Sequence, residues 1–312
     1  MRQPLDPALG RDEALRRIGR ACLAHYLRHE PAALAGRPEG VHQMRVALRR
    51  LRSALGAFGK ALPTADRRLL AGELRRLDDV LAPLRNLDVL LSELLPPVCA
   101  ALSGAPGLDA LAAALAAARR AAQHRLAVQL RSPRNGAAML SLMHWFERSP
   151  RGEAAAADGT TVGALLPSLL DRRFRAVKKR GRRFRRQTPA ERHRLRIAVK
   201  KLRYTIEWFG EWFGEWYGGA AAREDAGAFV KELRRLQDGL GYANDVHTAR
   251  DLLRRIAAGA EPGSRLAGAG ALLLDWHEQA LARRERKVRR ALRRLKRSPR
   301  FWRAAGSAAA LR

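Results

Sequence analysis

Apolar and polar positions recur with helical periodicity along most of the chain. Met44, Leu48, Leu51, Leu55 and Phe58, for example, fall on one side of a helix, opposite a row of charged residues. The helix formers Ala, Leu and Arg dominate, whereas Val, Ile, Thr and Tyr are scarce. We therefore predict an all-α fold, with helices near 11–30, 40–61, 65–96 (broken at Pro83), 107–131, 137–147, 162–186, 189–217, 222–258 and 264–297.

Helix-breaking and helix-capping residues lie at the boundaries of these predicted helices. Thr64 and Thr188 are suited to cap the helices that follow them, and Thr188 forms a capping-box pattern with Glu191 around Pro189. The breakers are Pro31, Pro38, Pro63, Pro96, Pro97, Gly104, Gly107, Gly218, Gly219, Pro262, Gly263 and Pro299.

The first half of the sequence recurs in the second half. HQMRVALRRLR at 42–52 matches HRLRIAVKKLR at 193–203, LRRLDD at 74–79 matches LRRLQD at 233–238, and RSPR recurs at 131–134 and 297–300. Because the matches keep their order, they indicate an internal duplication. We expect one domain, 11–303, made of two antiparallel four-helix bundles related by a pseudo-two-fold axis, with halves 11–148 and 162–303 and a linker 149–161.

The charge of the chain points to a polyanionic partner. There are 61 Lys and Arg residues against 30 Asp and Glu residues, for a net charge of +31. Such an excess opposes folding by self-repulsion unless a polyanion neutralises it. Two cysteines, Cys22 and Cys99, exclude a disulfide scaffold and a thiolate metal cluster. The apolar runs are too short to span a membrane, so we expect a cytoplasmic protein without a membrane partner.

Basic residues form rows at helical spacing. One row is repeated between the halves, and two further rows use the same spacing. Like charges three or four residues apart destabilise a helix, so the rows are a cost to folding, although solvated helix faces remain the alternative. Rows facing one groove would bind a chain of phosphates, for which the arginine fork is suited. The rows are His42, Arg45, Arg49 and Arg52; His193, Arg196, Lys200 and Arg203; Arg172, Arg175, Lys179, Arg182 and Arg186; and Arg283, Arg286, Arg290, Arg293 and Arg297.

The sequence resembles the CHAD family, the conserved histidine α-helical domain. The runs that carry the resemblance are VHQMRVALRRLRSALGAF, HRLRIAVKKLRYTIEWF, LRNLDVLL and LQDGLGYANDV, and it extends from about residue 11 to 300. The resemblance implies an all-α domain of two four-helix halves that binds inorganic polyphosphate and is found at polyphosphate granules. It implies a binding surface between the halves formed by His42, Arg45, Arg49, Arg50, Arg52, His193, Arg196, Lys200, Lys201 and Arg203.

Two departures qualify the resemblance. Many members are fused to a triphosphate tunnel domain, but this chain lacks its Glu-x-Glu-x-Lys signature and looks like a stand-alone member. Asn86 also stands where the first half usually carries an acid, which puts a role for that acid in doubt.

We predict a polyphosphate-binding protein, with no enzymatic activity and no cofactor, that associates with polyphosphate granules. Its binding residues would include Arg172, Arg175, Lys179, Arg182, Arg286, Arg290 and Arg293 from the two further rows.

Other functions remain open alternatives. A nucleic-acid-binding protein would use the same basic surface. A metal site at the repeat histidines, or at His25 and His29, lacks a completed ligand set. Asp78, Asp79, Asp88, Asp238 and Asp245 could hold Mg²⁺ for hydrolysis, although we prefer ion pairs that orient arginines. We expect the aromatic stretch from Trp208 to Tyr217, including Trp212 and Trp216, to cover the end of the bundle or the seam between halves, or to bind a granule protein or nucleic-acid bases.

Overall fold

A computed structural model describes residues 5–59, 62–148, 160–209, 219–258 and 264–303. Within these ranges the secondary structure is helical, apart from one isolated antiparallel bridge between Gly10 and Thr161. The all-α prediction is confirmed. The helices are α1 (Arg11–Leu34), α2 (Pro38–Phe58), α3 (Thr64–Val89), α4 (Leu95–Ala101), α5 (Leu108–Leu130), α6 (Pro133–Glu147), α7 (Val162–Arg180), α8 (Pro189–Trp208), α9 (Gly219–Ala257) and α10 (Arg265–Arg297).

Local sequence explains where several helices begin. The Thr188 hydroxyl accepts a hydrogen bond from the Glu191 amide while the Glu191 carboxylate accepts one from the Thr188 amide, so the predicted capping box is present at the start of α8. At the starts of α7 and α10 the cap is a single hydrogen bond: the Thr161 hydroxyl accepts from the Ala164 amide, and the Ser264 hydroxyl accepts from the Ala267 amide. The prediction that Thr64 is an N-cap is wrong, because Thr64 is the first residue of α3 and no side chain caps this end.

Prolines interrupt the helices less than predicted. Pro83 lies inside α3, and Pro31 lies inside α1. A proline removes one backbone donor, and tertiary packing of the leucines on either side, Leu81 and Leu84, holds α3 together across that gap. The helix changes instead at Leu90–Leu94, a wider π-helical turn that precedes α4. Pro96 occupies the first turn of α4, where a missing amide donor costs little.

The helices pack in two chain-local groups that meet along a seam. In the first group α1 packs on α2, α2 on α3 and α3 on α5, while α6 packs on α1. In the second group α7 packs on α8, α8 on α9 and α9 on α10. Between the groups α2 contacts α8, α5 contacts α10, and α3 contacts α9. Because α2 and α8 carry the repeated basic rows, the geometry of the contact between these two helices determines whether the two rows lie next to each other.

Arg173 of α7 fixes this contact from the buried side. Its guanidinium donates hydrogen bonds to the backbone carbonyl of Ser53 on α2 at 3.0 Å and to the carbonyl of Lys201 on α8 at 2.6 Å. It also donates to the Thr205 hydroxyl. At the same end of the two helices, Phe58 packs on Trp208, with ring centroids 6.0 Å apart. These contacts set the separation of α2 and α8.

None of the helices in the described ranges combines the length and apolar character needed to cross a bilayer.

Candidate functional site

The basic rows of α2 and α8 meet at the seam. We define the central cationic cluster as His42, Arg45, Arg49 and Arg52 of α2, Arg85 of α3, and Arg196 and Lys200 of α8. Its members influence one another electrostatically across the seam: Arg49 lowers the pKa values of His42, Arg45, Arg196 and Lys200, and Arg85 lowers those of His42 and Arg45. Cations that shift one another's pKa values across the seam lie near one another, so we describe them as one cluster.

Lys200 is the most strongly perturbed member of the cluster. It is only 9% exposed. Burial is the main cause that lowers its pKa to about 6, and Arg196, Arg49 and Arg45 lower it further, while Asp245 acts in the opposite direction. An amine in this position is largely neutral at pH 7, and an anion that enters the cluster would favour its charged form.

Several arginine donors in the cluster have no acceptor. Arg45 Nη1, Arg49 Nε and Arg196 Nε are enclosed and make no hydrogen bond. Leaving such a donor unsatisfied costs about 1–3 kcal/mol, and more when the group is charged. An anionic oxygen that accepts from these donors would remove that cost. The cluster is therefore not completed by the protein's own carboxylates.

Carboxylates neutralise only the edge of the cluster. Asp78 of α3 forms two ion pairs, with its Oδ2 2.5 Å from Arg52 Nη2 and its Oδ1 3.2 Å from Arg45 Nε. The pair with Arg45 is not aligned as a hydrogen bond. In the sequence repeat Gln237 stands at the position that matches Asp78, so the second half lacks this acid. Arg203 pairs instead with Glu207 of its own helix at 3.0 Å. Arg49, Arg196 and Lys200 form no ion pair with any described carboxylate.

The remaining acids singled out in the sequence lie elsewhere. Asp88 is buried and forms an ion pair with Arg119 of α5 at 2.7 Å. Asp245 is close enough to raise the pKa values of Arg196 and Lys200, but lies beyond ion-pair distance. Asp79 and Asp238 are exposed. The described residues contain no group of three or more His, Cys, Asp or Glu side chains placed to hold a metal ion.

The two repeat histidines differ in environment. His42 is half-buried, and burial, with Arg85 and Arg49 nearby, lowers its pKa below the usual value. His193 is exposed, and its Nδ1 shares a hydrogen bond with the side chain of Asn244 at 2.7 Å. His25 shares a hydrogen bond with Gln43 at 3.0 Å, and its ring lies 4.6 Å from that of His29.

Two candidates from the repeated motif face away from the cluster. Arg50 is near α1, where it lowers the pKa values of Cys22 and His25. Lys201 is near α7, since Arg173 and Arg180 of that helix lower its pKa in addition to burial. Neighbouring residues on a helix point about 100° apart, so only one member of each basic pair can face the seam. Arg85, conversely, joins the cluster without having been predicted, because the sequence offers no periodicity that places one α3 residue against α2.

The two further rows lie apart from the cluster. We call them the outer rows: Arg172, Arg175, Lys179 and Arg182 on and just after α7, and Arg286, Arg290 and Arg293 on α10. All seven are exposed. None of them is among the groups that shift the pKa of Lys200, Arg196, Arg45 or His42. The predicted single groove therefore consists of one enclosed cluster with exposed basic rows outside it.

The aromatic stretch is described only in part. Trp208 and Phe209 are buried, and Trp208 packs against Phe58 and Arg173. Trp208 therefore covers the seam between the helix groups. Trp212, Trp216 and Tyr217 lie outside the described residues.

Comparisons with known proteins agree with this fold. The family model described as "CHAD domain" matches residues 17–254. The chain is similar to the CHAD domain from the plant Ricinus communis, a crystal structure, with 30% identity and a TM-score of 0.78, covering 96% of this chain and 97% of that chain. It is similar in fold to PptA from Streptomyces chartreusis, with 17% identity and a TM-score of 0.68, covering 91% and 100%. No curated protein matches the sequence.

Proposed function

The chain belongs to the CHAD domain family, and we propose that it binds inorganic polyphosphate in the central cationic cluster. One observation carries this proposal: arginine donors from two helices lie close to a buried lysine, and Arg49, Arg196 and Lys200 form no ion pair with a described carboxylate, Asp245 acting on Arg196 and Lys200 only from a longer distance. A charged group without a counterion is expensive to bury. A bridging chain of phosphates supplies both the counterions and the missing acceptors.

The chemistry of the cluster suits a bare phosphate chain. Arginine stays charged and can donate two parallel hydrogen bonds to phosphate oxygens. The described members of the cluster include no aromatic side chain other than His42 on which a base could stack. A nucleic acid carries the same backbone charge, but a narrow, enclosed site would exclude its bases. A binding test that compares the two ligands therefore distinguishes them.

We assign different roles to the predicted binding residues. His42, Arg45, Arg49, Arg52, Arg196 and Lys200 contact phosphates, with Arg85 added from α3, while His193 and Arg203 extend the site along α8. Arg50 and Lys201 face α1 and α7 and support the helices instead. The outer rows attract the distal parts of a long chain through bulk electrostatics, which weakens with salt.

The arrangement of helices supports descent from a duplicated half. Each group places a central helix, α2 or α8, between a preceding and a following helix, and the central helices carry the matching motifs. We propose that residues 11–148 and 162–303 are the two copies, related by a pseudo-two-fold axis at the α2–α8 contact. The ligand site then lies on that axis, where a row from each copy contributes cations.

We further propose that binding occurs without turnover and that it targets the protein to polyphosphate granules. Asp78, an acid beside the cluster, already pairs with two arginines, which supports an orienting role rather than a catalytic one. Release of inorganic phosphate from polyphosphate, assayed with and without Mg²⁺, tests this point. Sustained release by purified protein would contradict it.

The binding site itself is tested with two charge-matched variants. Arg49→Gln combined with Arg196→Gln removes two cluster cations, and neither change leaves an orphaned carboxylate. Arg290→Gln combined with Arg293→Gln removes two outer cations. Charge-assisted hydrogen bonds contribute about 1.5–3 kcal/mol each, so we expect the cluster variant to lose at least about a hundredfold in polyphosphate affinity. Equal losses in the two variants, with helical content retained, would refute a defined site.

A further inference from the structure

The turn between α7 and α8, residues 181–187, exposes four arginines within five positions. They are Arg182, Arg183, Arg185 and Arg186, and none of them forms an ion pair with a described carboxylate. Arg183 has φ 49° and ψ 36°, a left-handed conformation that few residues other than glycine adopt. Strained backbone of this kind persists only where its surroundings enforce it.

Contacts with buried and polar neighbours hold the turn in this conformation. The Gln187 side chain donates hydrogen bonds to the backbone carbonyls of Arg180 and Arg182, the second at 3.0 Å. The Phe184 ring, between the two arginine pairs, is buried, and the Arg192 guanidinium lies 4.8 Å from its centre. The four arginines therefore extend into solvent from a fixed backbone.

The turn lies along α10. At its start Gly181 approaches Leu292 so closely that a Cβ atom on the glycine would lie 3.0 Å from the leucine side chain. Just beyond its end Arg192 pairs with Glu285 at 3.0 Å. Leu292 and Glu285 are seven residues apart, so they lie on one side of α10, about 10.5 Å from each other along its axis. The exposed residues that adjoin this side of α10 are Arg286, Arg293 and Lys296.

The turn and this part of α10 form one basic surface. We call it the turn face and define it as Arg182, Arg183, Arg185, Arg186, Arg286, Arg293 and Lys296. The segments 172–186 and 283–297 that contain it hold ten Lys and Arg residues each, 20 of the 61 in the chain, and only one acid, Glu285. That acid already pairs with Arg192. The turn face is therefore strongly positive and has no counterion of its own among the described residues.

We infer that the turn face binds double-stranded nucleic acid through its phosphate backbone, separately from the central cationic cluster. The inference goes beyond the proposed function and does not require it. Arginine side chains donate to backbone phosphate oxygens, and such contacts supply most of the affinity of binding without sequence preference. From Arg286 to Lys296 the face extends about 15 Å along α10, the rise of about four to five base pairs. A stiff duplex and a fixed turn both present their charges at set positions.

The composition of the face favours a duplex over two other polyanions. Unpaired bases bind by stacking on aromatic rings, but Phe184 of the turn, Phe174 of α7 and Trp302 after α10 are buried. Basic helices that lie on a membrane also insert apolar side chains. The large apolar side chains that are exposed in the described residues lie on α3, α5, α6 and α8, and they are Leu69, Val128, Leu140, Met143 and Ile197. The turn face thus offers contacts to a phosphate backbone alone.

The test measures binding of the full-length protein to a duplex of about 20 base pairs across a range of salt concentrations. We expect a dissociation constant of about 10⁻⁶–10⁻⁴ M at physiological salt. Arg185→Gln combined with Arg186→Gln should weaken binding about tenfold. It should also make the logarithmic salt dependence shallower by about two, because each lost phosphate contact removes about 0.9. The charge-matched control is Arg120→Gln with Arg125→Gln, two exposed positions on α5, which should change neither quantity appreciably.

A second variant separates the held turn from its charge. Gln187→Ala keeps every charge but removes both side-chain hydrogen bonds that hold the turn. We expect duplex affinity to fall about threefold, because the arginines must then be ordered on binding. Unchanged affinity in this variant, with helical content retained, would contradict a built site and leave only a diffuse charge effect.

The cluster variant, Arg49→Gln with Arg196→Gln, shows whether the two sites are separate. It should keep duplex affinity within about twofold while losing polyphosphate affinity, and the Arg185, Arg186 variant should show the reverse for short-chain polyphosphate. Equal losses of duplex binding in the turn and control variants, or a larger loss in the cluster variant, would overturn the inference. Tighter binding of single-stranded DNA, or of phosphatidylglycerol vesicles, that depends on Arg185 and Arg186 would also overturn it. Duplex binding that persists in a protein without polyphosphate affinity would overturn only the proposed function.

Discussion

The central cationic cluster and the outer rows contain the same kind of residue but differ in surroundings. In the cluster, guanidinium groups from α2, α3 and α8 lie close together, some with enclosed donors that lack acceptors. In the outer rows on α7 and α10, every cation is exposed and solvated. Exposed charges are screened over roughly a Debye length, about 8 Å at physiological salt, whereas enclosed charges are screened much less. Charge count alone therefore says little about where a polyanion binds.

The cluster and the outer rows differ most at Lys200. Its burial lowers the free energy of unfolding, and no residue of the outer rows has a comparable effect. Its pKa in the folded protein, about 6, lies below the unfolded value, so folding releases a proton between pH 6 and about 10.4. We expect Lys200→Met to stabilise the free protein at pH 7 by about 1–3 kcal/mol, because it removes a buried and unpaired amine. The same change should weaken polyphosphate binding about tenfold or more.

Thermal unfolding and a polyphosphate titration measure the two effects. Lys287→Met serves as the control, since Lys287 is exposed on α10 and should change neither quantity appreciably. A Lys200→Met protein that is less stable than the wild type would mean that the lysine has a stabilising partner, and the comparison between cluster and outer rows would lose its strongest element.

Binding should also depend on pH through Lys200. The free protein holds Lys200 largely uncharged above pH 6, while the complex holds it charged, so binding takes up a proton. Affinity should fall as pH rises above 6, by up to about tenfold per pH unit. Calorimetry in buffers of different ionisation enthalpy measures the proton uptake directly. Lys200→Arg should flatten the dependence above pH 7, because arginine remains charged; an unchanged slope in that variant would assign the proton to another group.

Asp78 offers a milder test of the cluster's edge. Asp78→Asn removes the carboxylate that pairs with Arg45 and Arg52 and so competes with phosphate for them. We expect polyphosphate affinity to rise a fewfold while stability falls by about 1–2 kcal/mol, as partly buried arginines lose their partner. Asp79→Asn, one residue along and exposed, is the matched control. Weaker binding after Asp78→Asn would mean that this acid mainly positions the arginines for the ligand.

The outer rows should give the smallest effect. Removing Arg175 and Lys179 together should lower polyphosphate affinity less than about threefold at physiological salt, because exposed charges act only through a screened field. The change should appear mainly as a shallower dependence of affinity on salt. Titrations at several salt concentrations measure this slope. A large loss at high salt would indicate direct contact between α7 and the ligand.

The sequence predicted the helices and the two repeated basic rows, for different physical reasons. Helical periodicity and the Thr188–Glu191 capping box are local, so they could be read directly from the chain. The repeated motif suggested that α2 and α8 occupy matching positions, but not that they are in contact. Helical geometry alone would have separated Arg49 from Arg50 and Lys200 from Lys201, since adjacent side chains diverge by about 100°.

Other features depended on tertiary packing and could not be predicted. Arg85 reaches the cluster from α3, and Arg173 of α7 fixes the separation of α2 and α8 through backbone carbonyls that no sequence pattern identifies. The continuity of α3 through Pro83 likewise depends on buried neighbours rather than on local propensity. The outer rows, which looked equivalent to the inner ones in sequence, are distinguished from them only by burial.

The central claim is that an enclosed cluster selects a bare phosphate chain over other polyanions. The most direct test is competition of long-chain polyphosphate against single-stranded and duplex DNA for the protein, titrated across salt. We predict that polyphosphate binds at least about tenfold more tightly at physiological salt, and that its advantage grows as salt rises, because screened surface contacts are lost before enclosed ones. DNA binding that equals or exceeds polyphosphate binding throughout the titration would contradict this account and make the basic surface a general nucleic-acid interface.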